Sequence, residues 1–231
     1  MKKEEFINAC QQAGISIDQK QVKQFESYLH LLQEWNEKMN LTSIIEEEEI
    51  WEKHFYDSII PFKNIETGSL CDVGTGAGFP GIPVAIVYPN IQVTLLEPLT
   101  KRCRFLQTVK EALNLDVEIC NERAEDFVKT RRETFDFVTS RAVARLTILL
   151  ELCAPLVKVE GTIVALKGKN GYEELKKAQE ALDTLGVCYE KEQTIQVEDA
   201  LHLVFYLKKI KACPKKYPRN FGQIKKKPIG E

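Results

Sequence analysis

Apolar residues recur along this chain at two different periods. Over residues 18–40 the period is helical: Val22, Phe25, Leu29, Leu32, Trp35 and Met39 fall at steps of three and four and form one stripe. Residues 3–13 carry a shorter amphipathic pattern of the same kind. Asn40-Leu41-Thr42 interrupts the stripe, and Thr42 or Ser43 is placed to cap a third helix ending near Pro61. Trp35 and Trp51 fall in this region and read as core residues rather than as stacking surfaces for bases.

Beyond residue 68 the pattern changes. Short apolar runs at 69–73, 91–96, 116–120, 134–139, 161–167, 187–196 and 201–209 read as strands. Helical patterns lie between them near 80–88, 99–114, 123–129, 145–157 and 171–185. This alternation predicts a parallel sheet with helices on both faces. The last two strands are separated only by Val197-Glu198-Asp199-Ala200, too short for a crossover, so they must pair antiparallel. The predicted fold is therefore α/β: a Rossmann-like, mostly parallel seven-stranded sheet closed by an antiparallel hairpin. Its expected strand order, 3-2-1-4-5-7-6, is that of the class I methyltransferases. The chain divides into a helical extension over 1–65, a sheet domain over 66–210 and a basic tail over 211–231.

Composition narrows the setting. No apolar run approaches the ~18 residues of a membrane span, and the N-terminus lacks a signal-like apolar stretch, which predicts a cytoplasmic protein. The seven cysteines, at 10, 71, 103, 120, 153, 188 and 213, show no Cys-x-x-Cys spacing. They read as free thiols in a reducing compartment, with no metal site. The net charge of -2 conceals a gradient. Residues 46–49 are four glutamates, whereas Lys208 to Pro228 holds nine basic residues and no acid. Such a block suits a polyanionic partner or, equally, a solubilising tail.

The candidate chemistry starts at Cys71-Asp72-Val73-Gly74-Thr75-Gly76-Ala77-Gly78-Phe79-Pro80-Gly81, a glycine turn between the first strand and its helix. A dinucleotide fingerprint from Gly74 would need a glycine at 79, where Phe79 stands. The run reads instead Asp72-x-Gly74-x-Gly76-x-Gly78, the form used for S-adenosylmethionine. Glu97 ends the second strand, where an acid accepts hydrogen bonds from ribose hydroxyls. Taken alone, these features leave open a ligand-free turn, an NAD-linked oxidoreductase, and a methyltransferase for another RNA or a small molecule.

A set of further motifs makes the chain resemble one family over essentially its whole length. They are Glu34 to Thr42, His54-Phe55-Tyr56-Asp57-Ser58, Asp72 to Pro83, Lys101-Arg102, Phe105-Leu106, Arg123-Ala124-Glu125, Ser140-Arg141-Ala142-Val143-Ala144, Lys167-Gly168 and Pro214 to Arg219. With these residues the chain resembles the RsmG (GidB) family of bacterial 16S rRNA guanine-N7 methyltransferases. The resemblance implies S-adenosylmethionine as cofactor and S-adenosylhomocysteine as product. It implies 16S rRNA or the small ribosomal subunit as partner, and N7 of guanine 527 in the 530 loop as target. It further implies that Gly74 and Phe79 contact the cofactor, that Glu97, Pro98 and Leu99 hold its ribose and adenine edge, that Ala124 and Glu125 lie against the adenine, and that Arg141 closes the site. A monomer is expected.

Guanine N7 carries an in-plane lone pair and no proton, so its methylation requires placement rather than an acid, a base or a covalent nucleophile. The ends of the fourth and fifth strands fit that demand. They lack the Asn/Asp-Pro-Pro-aromatic motif of amine methylation and the cysteine of cytosine C5 chemistry. They offer cations instead, Arg141, Arg145, Lys167 and Lys169, suited to phosphates or guanine O6. His54 and Asp57 read more readily as ties between the N-terminal helices and the core than as a proton shuttle.

Overall fold

The structure is a computed structural model that describes residues 1–141, 144–197 and 200–231. Two helices open the chain, α1 (Lys3–Gln12) and α2 (Gln19–Met39). Asp18 caps α2 by accepting from the Gln21 amide, and Gln21 returns the bond to the Asp18 amide. The predicted third helix begins later than expected, with a turn α3 (Glu47–Glu49), a π-helical stretch (Ile50–Tyr56), a turn α4 (Asp57–Ile59) and a 3-10 turn (Ile60–Phe62). Thr42 does not cap it. Its hydroxyl accepts from the Ile44 amide (3.1 Å) and meets His54 Nε2 (2.8 Å).

The sheet strands are β1 (Gly68–Val73), β2 (Ile91–Leu96), β3 (Val117–Cys120), β4 (Phe135–Arg141), β5 (Val157–Lys167), β6 (Val187–Val197) and β7 (Ala200–Lys209). Their order is β3-β2-β1-β4-β5-β7-β6, as the sequence pattern predicts. β1 pairs in parallel with both β2 and β4, and β7 pairs antiparallel with β5 and β6. Glu198 and Asp199, in the predicted hairpin turn, lie outside the described residues, as do Ala142 and Val143. Between the strands run α5 (Gly81–Val87), α6 (Thr100–Leu113), α7 (Ala124–Arg131), α8 (Leu146–Cys153), α9 (Gly171–Lys177) and α10 (Gln179–Leu185). The single helix expected over 171–185 is thus two, broken at Ala178, which is buried and bonds back to Glu174 and Leu175.

Apolar side chains fill both faces of the sheet. On one face α1, α2, α5 and α6 join the sheet in a shared core. Phe6, Phe25, Trp51 and Phe55 pack ring against ring there, with Phe6 and Phe25 5.2 Å apart. Trp35 is half-buried against Phe105. On the other face α7, α8 and α10 pack with Tyr217, Ile224 and Ile229 from the C-terminal segment. That segment forms α11 (Phe221–Lys226). It is fastened by Arg219, whose guanidinium and backbone N–H both donate to the buried Glu151 carboxylate. All seven cysteines are free thiols.

Candidate functional site

The chain order in the sheet reverses between β1 and β4, and such a switch point leaves a crevice at the strand C-termini. Into this crevice β1 delivers the glycine turn. The amides of Gly74 and Thr75 both donate to the Leu96 carbonyl (2.8 and 3.2 Å), which ties the turn to the end of β2. Beneath it, Asp72 accepts at one oxygen from Thr75 Oγ1 (2.6 Å) and from the Gly81 amide (2.9 Å). Asp72 is fully buried, and its other oxygen has no partner among the described residues. Burial raises its pKa to about 6 against the pull of those two hydrogen bonds.

The glycines divide by role. A Cβ on Gly78 would strike Ile82 at 2.6 Å and the Tyr28 hydroxyl at 2.7 Å, so Gly78 admits α2 against the turn. Gly76, at φ +63, would meet only the Gly74 carbonyl, at 3.9 Å. Its missing side chain therefore leaves open space in a cavity of about 540 Å³, within the range of small-molecule sites. The Gly76 amide donates to Glu97 Oε2 and the Leu99 amide to Oε1, both at 3.0 Å. Arg102 adds a cation 3.7 Å from the same carboxylate.

This cavity gathers Gly74, Gly76, Phe79, Glu97, Pro98, Leu99, Ala124, Glu125 and Arg141, all singled out from sequence. Asp72 and Gly78 stand behind it and shape the turn. It also draws in residues to which sequence reasoning gave no place in the site: Leu41, Thr42, Arg102, Arg123 and Phe221. Leu41 and Thr42 follow α2 and Phe221 opens α11, so the tertiary fold brings them here; Leu41, Thr42, Arg102 and Arg123 stand in the motifs that carry the resemblance, whereas no local pattern marks Phe221.

Arg141, at the end of β4, is largely buried and fully engaged. It donates to the Lys53 carbonyl (3.0 Å), Asp57 Oδ2 (3.4 Å) and His54 Nδ1 (3.0 Å), and its guanidinium sits 4.8 Å over the Phe79 ring. His54 stacks on the same Phe79 ring, with the centroids 4.3 Å apart. Because Arg141 can only donate, His54 Nδ1 accepts and Nε2 carries the proton toward Thr42. Burial and the Arg141 charge push the His54 pKa down to about 3, so the ring is neutral. The tie between the N-terminal helices and the core is therefore real, and it also forms the cavity wall.

A second cavity, of about 660 Å³, lies beyond that wall. Thr42, His54 and Arg141 are the described residues that line both. Lys167 faces the second cavity, bonded to the Ala144 carbonyl and to Glu174, both at 2.7 Å. Arg145 faces neither. It is half exposed and pairs with Glu231.

The family model described as rRNA small subunit methyltransferase G matches residues 21–204. Two relatives named "Ribosomal RNA small subunit methyltransferase G" span nearly the whole chain. One, from Clostridium botulinum (strain Eklund 17B / Type B), is 50% identical and covers 97% of this chain and 97% of its own length. The other, from Bacillus subtilis (strain 168), is 45% identical and covers 99% of each. Among solved structures, M. jannaschii TYW2 in complex with AdoMet is similar in fold, with a TM-score of 0.56 at 16% identity over 73% of this chain and 80% of that one. The Bacillus subtilis YcgJ protein reaches 0.51 at 11% identity, over 68% and 100% respectively.

Proposed function

This chain belongs to the rRNA small subunit methyltransferase G family, and from that premise we propose that it moves a methyl group from S-adenosylmethionine to guanine N7 in 16S rRNA. The target is guanine 527 of the 530 loop, the position implied by the sequence resemblance. The observation that carries the reading is the paired cavities, one built on Gly76 and Glu97, the other beyond Arg141.

The residues present fit the cofactor. Gly76 leaves the space a side chain would fill, and Glu97 keeps a free acceptor position on each oxygen after serving the Gly76 and Leu99 amides. Two ribose hydroxyls need just such a pair. Pro98, the exposed Leu99 and Ala124 offer apolar contact to an adenine, with Glu125 at its edge. When bound, S-adenosylmethionine supplies a methyl on a sulfonium: the N7 lone pair forms the C–N bond as the C–S bond breaks, S-adenosylhomocysteine remains, and no proton moves.

The protein's part is therefore positioning and water exclusion. His54, neutral and bonded at both nitrogens, is a wall and not a shuttle. Arg141, matched by Asp57 and lying over Phe79, fixes the seam between the cavities. Lys167 supports the far side, and Arg145 lies outside, where it can meet the RNA backbone.

The deciding experiment maps N7-methylguanine in small-subunit rRNA from cells with and without the protein. Loss of the modification at the target guanine is expected when the protein is absent. An unchanged map, together with methyl transfer to another RNA or a small molecule, would assign the chain a different substrate. Calorimetry with S-adenosylhomocysteine against NADH separates both readings from an oxidoreductase.

A further inference from the structure

Resting on the reading that the chain methylates a guanine, we propose that the second cavity receives the target base and that His202, oriented by Asp57, donates from Nε2 to guanine O6. The cavity meets the first across Thr42, His54 and Arg141, so a base seated there can present N7 to a methyl donor at that seam. A base paired in a helix cannot reach such a recess, so the nucleotide enters extruded or from a single strand.

The cavity's charge suits a neutral heterocycle better than a phosphate. Arg141 and His202 both face Asp57, and Lys167 faces Glu174. Lys53 also lines the cavity and pairs with Glu49, while Arg141 and His202 share the one carboxylate of Asp57, so most of the cationic charge is offset and little net field remains for a polyanion. Ile44, Leu166, Leu203 and Val204 supply apolar wall between the polar groups.

Guanine and adenine both present N7 on the Hoogsteen edge and differ beside it: O6 accepts, whereas the adenine N6 amino group donates. N7 is the reacting atom, so selection for guanine falls to a donor at O6. His202 is placed for that role. Its Nδ1 lies 2.9 Å from Asp57 Oδ1, and Asp57 is itself buried and held at Oδ2 by Arg141. The ring is thus fixed, part exposed on the cavity wall, and among the described residues no partner takes Nε2, which is left for a ligand. The other imidazole of this wall, His54, has both nitrogens bonded.

Among the described residues, the charged groups around His202 are Asp57 from α4, Lys53 from the π-helical stretch and Arg141 from β4, with Lys167 of β5 and Glu174 of α9 across the cavity. The hydrogen bond to Asp57 raises the His202 pKa from its ordinary 6.5, against burial and the two nearer cations. The imidazolium, a donor at both nitrogens, persists to correspondingly higher pH. Sequence offered no sign of this: His202 is a lone histidine in a strand, 145 residues from Asp57.

The test uses the full chain and small-subunit rRNA carrying either guanine or 2-aminopurine, which keeps N7 but lacks O6, at the methylated position. The wild type should lose about 10–100-fold in kcat/KM on 2-aminopurine, the range of one charged hydrogen bond. His202→Ala should lose as much on guanine and almost nothing further on 2-aminopurine, with S-adenosylhomocysteine affinity unchanged. The guanine rate of the wild type should fall as pH rises through the raised His202 pKa, and His202→Gln should lack that limb. Additive losses for base and residue, or full discrimination in His202→Ala, would overturn the inference. A wild type that methylates no guanine in this RNA would instead overturn the reading of function, and this inference with it.

Discussion

Glu97 has two duties at once. It holds the Gly76 and Leu99 amides and, in the proposed function, also accepts from the ribose hydroxyls of the cofactor. Glu97→Ala is therefore expected to weaken S-adenosylhomocysteine binding by about 1.5–3 kcal/mol in calorimetry. Glu97→Gln should be nearly as damaging, because its NH2 group would face one of the two backbone N–H donors. A loss below ~0.5 kcal/mol for Glu97→Ala would reduce Glu97 to an ordinary strand end. Gly76→Ala is the matching probe from the turn, since its Cβ enters open cavity while the positive φ adds strain of ~1–2 kcal/mol. Binding should fail in a protein that still melts cooperatively. Asp72 tests the frame beneath. Its pKa, about 6 in the fold against 3.8 ordinarily, means that the fold holds a proton the unfolded chain releases. The contribution of Asp72 to stability is then greatest below pH ~4 and declines as pH rises to ~6, after which it is level. Asp72→Asn, still able to accept from Thr75 and Gly81, should gain Tm relative to wild type between pH 4 and 7. Parallel Tm curves for the two proteins across that range would show that Asp72 carries no such burden.

Among the elements, those with a strong local period were legible and those shaped by distant contacts were not. β1, β2 and α6 follow from their apolar runs, and the antiparallel end of the sheet follows from a connection too short to cross over. The composite helix from Glu47 to Phe62 was not legible as such. Thr42, the expected cap, spends its hydroxyl on His54, a contact set by the approach of Arg141 from β4. The tail shows the same dependence on distant contacts. The sequence shows Arg219 only as one of nine cations in a basic block; in the fold it clamps Glu151, a carboxylate with no solvent exposure. The clamp makes an asymmetric prediction for denaturant unfolding. Arg219→Ala strands a buried charge and should cost about 3 kcal/mol or more. Glu151→Ala strands a guanidinium that solvent can still reach and should cost less, about 1–3 kcal/mol. Equal costs would mean that Glu151 is neutralised from elsewhere.

For the molecule as a whole, the order of strands and the place of the crevice were readable because both depend on connection length and chirality. The joining of residues 1–65 to the crevice was readable only in part, through the His54 and Asp57 tie; the rest was not. It depends on Tyr28 bonding to the Ala77 carbonyl and packing on Phe79, contacts that no local pattern announces. The charge gradient likewise changes meaning in three dimensions. Of the nine basic residues between Lys208 and Pro228, Lys209 is buried against Ala154 and Glu133, Lys208 faces Glu160, and Arg219 is the clamp. Lys211 is exposed beside Gly186, and Lys215, Lys216, Lys225, Lys226 and Lys227 remain exposed beside α11, whose first residue, Phe221, lines the cavity with Glu97. A polyanion lying along these lysines would pass the mouth of the site. Their contribution to RNA affinity should be phosphate neutralisation, which is indifferent to sequence and sensitive to salt. Replacing the five beside α11 with Gln should weaken rRNA binding and flatten its dependence on salt by roughly 0.7 in log–log slope for each phosphate contact removed. S-adenosylhomocysteine affinity should hold, since none of the five lines either cavity, and so should stability, since none belongs to the Arg219 clamp. The comparison is a salt titration of binding for the two proteins. An unaltered slope would make this block a solubilising surface and leave the RNA path to Arg145, outside both cavities.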